Sequence, residues 1–176
     1  AIYIVAYFVV AMLKYIPVFM VFYPLIVPIV GGIPFMLYLT KVKKFGMVTI
    51  TGIIIGLLMF ASGHGWPVLV TGILFGLFAD LIFKAGGYGS WKRTLVGYGV
   101  FTLWVIGALL PIWIMRDSYF EHVRSILGNS YANTLMSLMS GWMLLVVIAL
   151  AVVGSVVGAY LGRATLRKHF QRAGIA

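Results

Sequence analysis

Two clusters hold the residues with which this chain could do chemistry. The first is Gly63-His-Gly-Trp-Pro67, an imidazole and an indole held between two glycines and a proline. His64 can both donate and accept a hydrogen bond, and Trp66 offers a flat apolar wall with a single N–H. The second cluster covers residues 116–133: Arg116, Asp117, Tyr119, Glu121, His122 and Arg124, with Asn133 at its end and Trp113 and Trp142 outside it. In the sharper reading, His64 and Asn133 hydrogen-bond a small ligand, and Trp66, Trp113, Tyr119 and Trp142 enclose its ring. In the plainer one, His64 is a loop histidine and the indoles mark a membrane boundary. His64, His122, Asp117 and Glu121 could together ligate a divalent metal, but their spacing matches no metal motif, and no metal is expected.

Other ionisable residues stand apart. Asp80 is the only acidic residue inside an apolar stretch, which makes it a functional candidate by position alone. Lys84, four residues further on, offers an ion pair as the alternative. Lys14 either snorkels or meets an anionic group. The chain has no cysteine, so neither disulfides nor thiolate metal sites are available. It has no Walker A loop, HExxH or GxSxG motif, and the expectation is a protein that is not an enzyme.

The elements that must position these residues are membrane helices. With 63% hydrophobic and 9% charged residues and a mean hydropathy of +1.12, the composition excludes an ordinary soluble domain. The 176 residues form one transmembrane domain of about six spans of about 20 residues each, an all-α membrane bundle. The apolar stretches are residues 1–12, 22–40, 45–60, 67–83, 94–115 and 134–161. The first is short and lacks an initiator Met, so the helix is expected to be truncated at its N-terminus. The second carries Pro24, Pro28, Gly31, Gly32 and Pro34, and is expected to be kinked or partly re-entrant. Gly63 and Gly65 suit a tight turn, and Pro67 suits the first turn of a helix. Residues 116–133, with a weak stripe of Phe120, Val123, Ile126 and Leu127, read as an amphipathic segment on the surface that could act as a lid.

The net charge of +10 is concentrated at span ends, which points to membrane orientation rather than to nucleic acid. If spans alternate, Lys41, Lys43, Lys44, Lys84, Lys92, Arg93, Arg163, Arg167, Lys168 and Arg172 share one side, and the positive-inside rule makes both termini cytoplasmic. The turn at residues 61–66 and the segment 116–133 then share the outer face. Gly52/Gly56, Gly72/Gly76 and Gly154/Gly158/Gly162 recur four apart, as close-packing faces do. They serve either packing inside the bundle or docking of a partner subunit, and Gly52 and Gly56 are the partner-interface candidates.

Several runs resemble the Trep-Strep family of bacterial integral membrane proteins: Val27-Pro-Ile-Val-Gly-Gly-Ile-Pro-Phe-Met36, Gly63-His-Gly-Trp-Pro67, Gly76-Leu-Phe-Ala-Asp80, Leu109-Leu-Pro111, Arg116-Asp-Ser-Tyr119 and Arg167-Lys-His-Phe. The resemblance covers nearly the whole chain. It implies a substrate-binding S component of an energy-coupling factor (ECF) transporter in the bacterial cell membrane. Such a subunit captures a vitamin or vitamin precursor, with hydroxymethylpyrimidine or a pyridoxine-like compound the expected class. It docks on the transmembrane coupling protein EcfT, driven by two EcfA-type cytoplasmic ATPases. ATP and Mg²⁺ belong to those partners, and no cofactor is expected in this chain. The family's Ala-x-x-x-Ala docking motif is not reproduced: Ala1, Ala6 and Ala11 are five apart, which is not one helical face. The alternatives are a self-sufficient permease or channel and a metal-binding S component.

Overall fold

Within a bilayer core no water is available to backbone N–H and C=O groups, so apolar runs satisfy them internally as helices. The computed structural model describes residues 2–12 and 16–170, apart from the side chains of residues 6, 8, 169 and 170. Lys14 and Arg172 lie outside the described residues. In chain order the helices are α1 (Ile2–Ala11), α2 (Pro17–Lys41), α3 (Met47–Ala61), α4 (Pro67–Ala85), α5 (Trp91–Thr102), α6 (Trp104–Leu109), α7 (Pro111–Ile114), α8 (Arg116–Leu138) and α9 (Met143–Thr165). A π-helical turn, Leu166–Phe170, extends α9. No strand occurs among the described residues, and the fold is an all-α membrane bundle.

Four segments are long and apolar enough to span a membrane: Pro17–Lys41, Pro67–Ala85, Trp91–Ile114 and Met143–Lys168. The remaining two apolar helices are shorter. α3 has 15 residues, a rise of about 22 Å against a hydrocarbon core of about 30 Å. Its start is set by Gly46 and its end by the turn at Ser62.

The expectation of a re-entrant second span is corrected. α2 runs unbroken through Pro24, Pro28 and Pro34. The buried Tyr98 hydroxyl donates to the Pro28 carbonyl at 2.5 Å, which ties α2 to α5, and α9 lies along α2 backbone to backbone. A methyl group at Gly154 would overlap the Leu25 carbonyl, one at Gly158 the Pro28 carbonyl, and one at Gly162 that of Gly32. Contacts advance in the same direction along both helices, so α2 and α9 are parallel.

Gly52 and Gly56 are likewise corrected. A methyl at Gly52 would strike the Gly72 carbonyl, and one at Gly56 would come within 3.1 Å of the Leu69 Cα. Both glycines are buried in an antiparallel α3–α4 seam and present no free docking face. Without a hydrophobic effect to drive helices together in lipid, such close approach is what holds them.

Asp80 is also placed. Its side chain is fully buried, and its Oδ2 accepts from the Thr49 N–H at 2.7 Å and the Thr49 hydroxyl at 2.6 Å. Lys84 is exposed instead, with its Nζ 5.1 Å from the centroid of the Phe45 ring. The carboxylate therefore ties α4 to the start of α3, and the ion pair does not form.

Candidate functional site: a capped cavity at one end of the bundle

The α3–α4 connection turns as its glycines dictate. Gly63 and Gly65 take φ of +87° and +78°, a region costly for any residue with a Cβ, and Pro67 starts α4. His64 is half-buried in this turn, with Nδ1 3.2 Å from the Met59 carbonyl. A carbonyl only accepts, so this contact requires the proton on Nδ1.

Opposite the turn stands α8, which is not one straight helix. Gly128 breaks it at φ +84°, ψ +167°, a conformation open essentially to glycine alone. A straight helix would separate Arg116 from Met139 by about 35 Å. Yet the Arg116 guanidinium donates to the carbonyls of Met139 at 3.0 Å and Met136 at 3.3 Å. The two halves therefore fold back on each other, and Arg116, 5.2 Å from the centroid of the Phe120 ring, is the clasp. Phe120, Leu135 and Met139 are fully buried beneath it. The surface-segment reading of residues 116–133 thus extends to Leu138, and the last span starts at Met143 rather than at residue 134.

Between hairpin and turn lies a cavity of about 270 Å³. Its polar lining comes from Ser62, His64, Tyr119, His122 and Tyr131, and its apolar lining from residues such as Met20 and Ala108. Burial raises the Tyr119 phenol above its ordinary range, with Tyr131 adding to the rise, and burial raises Tyr131 as well. Both phenols are neutral hydrogen-bonding groups at physiological pH.

The structure brings together two of the six expected ligand residues, His64 and Tyr119. Trp66 and Trp142 are 54% and 65% exposed and do not line the cavity. Asn133 is exposed and does not line the cavity, and Trp113 donates its indole N–H to the Ser140 carbonyl at 3.0 Å. These four form no common enclosure. Tyr131 and Ser62 line the cavity without having been singled out, and His122 lines it as a polar group beside His64. Among the described residues no three of His, Asp and Glu converge as a metal site would require.

A helical bundle with span-length apolar helices and a polar, aromatic cavity at one end defines a multi-pass integral membrane protein. The model of a family described as "Hypothetical bacterial integral membrane protein (Trep_Strep)" matches residues 1–172, and the chain belongs to that family. No curated protein and no solved structure matches it.

Proposed function

We propose that this chain is the substrate-binding S component of an ECF-type importer, and that the capped cavity is its ligand site. The observation that carries this reading is the cavity itself: two imidazoles and two neutral phenols gathered under the α8 hairpin, at the end opposite the basic cluster of Lys43, Arg163 and Arg167. Its about 270 Å³ falls at the small end of ligand pockets. That size suits one heteroaromatic ring with polar substituents, such as a pyrimidine or pyridine vitamin precursor. The positive-inside rule puts the cavity outside the cell and both termini in the cytoplasm. The backbone seams α2–α9 and α3–α4 leave little room for an internal gate, which favours reorientation of the whole bundle against EcfT, driven by the partner ATPases.

Mass spectrometry of the small molecule released from purified protein identifies the ligand, and calorimetric titration with that compound tests the site. His64→Ala should weaken binding by roughly 5- to 150-fold, the loss of a buried hydrogen bond and wall worth about 1–3 kcal/mol. The chain should also stay bound to a coupling subunit and ATPases in mild detergent, and uptake should stop when the ATPases are inactivated. Gradient-driven uptake by this chain alone in vesicles would establish the rival reading, a self-sufficient permease.

A further inference from the structure

At the opposite end, α2 and α9 finish and α5 begins around two adjoining cavities of about 350 Å³ each. They share Thr40, Trp91, Thr94, Arg163 and Leu166, with Lys43 on one and Arg167 on the other. Trp91 holds the Arg163 guanidinium 4.2 Å from its ring centroid and meets Tyr160 edge-on at 5.4 Å. This stacking fixes the direction of the cation without neutralising it. Among the described residues no carboxylate pairs with Lys43, Arg163 or Arg167. Of the three acidic residues, Asp80 is buried on Thr49, while Asp117 and Glu121 belong to α8 at the far end.

We infer that this pocket binds a phosphate group, carried either by an anionic phospholipid at the membrane boundary or by a free phosphorylated solute. Three like charges around two adjoining cavities that share Arg163 repel one another unless an anion enters. Arg163, pre-oriented by Trp91, presents the planar fork that matches phosphate oxygens in a bidentate manner. Thr94 supplies a hydroxyl that makes no hydrogen bond within the described chain. Ser90 gives no side-chain cap, so the first N–H groups of α5 add donors beside Trp91. Met36 and Leu39 form apolar wall beneath the cations, as an acyl chain below a headgroup requires. The inference is independent of what the opposite cavity binds.

The test uses the full-length protein in a neutral detergent, titrated with short-chain phosphatidylglycerol, short-chain phosphatidylcholine and inorganic phosphate at constant ionic strength. Phosphatidylglycerol should bind at least about tenfold more tightly than phosphatidylcholine, and Arg163→Gln should remove that preference. Because Arg163 also packs on Trp91, a Lys43→Gln/Arg167→Gln double variant, altered only at exposed positions, provides an independent arm and should weaken binding in the same direction. Selective phosphatidylglycerol binding assigns the pocket to lipid; phosphate binding without it assigns the pocket to a soluble phosphorylated compound. Equal binding of both lipids with no binding of phosphate overturns the inference. So does undiminished phosphatidylglycerol and phosphate binding in the double variant.

Discussion

The two ends of the bundle use arginine in opposite ways. At the capped end, Arg116 donates to the carbonyls of Met136 and Met139, so its hydrogen bonds close a hairpin of the protein's own backbone. At the basic end, Arg163 rests on Trp91 beside Lys43 and Arg167, with no carboxylate paired to any of them among the described residues. One cation is a strut, and the other is presented to whatever enters the concavity. The same contrast holds for shape. The capped end is covered by a helical hairpin that reverses at Gly128, whereas the basic end is bounded by the ends of α2 and α9 and the start of α5.

Both ends depend on the seams between them, so the largest effect should come from breaking a seam. Gly158→Leu would drive a side chain into the Pro28 carbonyl. Backbone cannot step aside as a side chain can, so the cost should exceed the about 1–3 kcal/mol typical of an overpacked core. Loss of monodisperse protein on size-exclusion chromatography is the expected outcome. Normal folding with only impaired transport would mean that α9 faces a partner there. The capped end can be broken alone. Arg116→Ala removes charge-assisted hydrogen bonds worth about 1.5–3 kcal/mol, and hydrogen exchange across α8 should rise by roughly 10- to 150-fold while α9 keeps its protection.

How much of this was legible beforehand differs by element. Apolar runs gave the helices, and the glycines and Pro67 gave the α3–α4 turn, because those signals are local. The course of α8 was not legible. Leu135, Met136, Leu138 and Met139 look like the start of a span, yet Leu135 and Met139 are buried by packing inside the hairpin. One glycine in a polar helix does not announce a reversal; only the partners of Arg116 reveal it. The same limit explains the site. Tyr119 and Tyr131 line one cavity because Gly128 folds the chain, whereas Trp66 and Trp142 are exposed and do not line it. The continuity of α2 was equally hidden, since three prolines argue for a break until α9 is seen packed along it.

The comparison is sharpened by the hinge. Gly128→Ala forces a Cβ into a conformation costing about 1–3 kcal/mol, with no neighbouring atom to clash with. Limited proteolysis within α8 should accelerate while the melting of the membrane helices stays unchanged, since nothing but the hinge is strained. A smaller effect should follow from pH. Burial, then Tyr131, raises the Tyr119 phenol above its ordinary pKa of about 10. Below that value the group is neutral in both folded and unfolded chains and gives no pH dependence. Above it the unfolded chain loses the proton that the folded one still holds, so stability falls as pH rises. Tyr119→Phe should reduce the slope of thermal stability between pH 9 and pH 11, relative to the parent, by that residue's share.

The smallest expected effect concerns the indole that looked most like a ligand contact. Trp66 precedes α4, and its carbonyl accepts from the N–H of Leu69 at 3.1 Å and of Val70 at 3.4 Å. Those bonds belong to the backbone and survive replacement by alanine. The side chain itself is 54% exposed and lies off the cavity that His64 lines two residues earlier. An exposed indole at a helix start is where a membrane boundary anchor belongs, in contrast to Trp91, whose ring orients Arg163 at the other end. Trp66→Ala should therefore leave the affinity for the copurifying solute within about twofold of the parent by calorimetry, under conditions where His64→Ala weakens it clearly. A loss of about tenfold or more, corresponding to about 1.4 kcal/mol, would overturn the proposed site in the capped cavity and place the ligand on the outer surface of the turn.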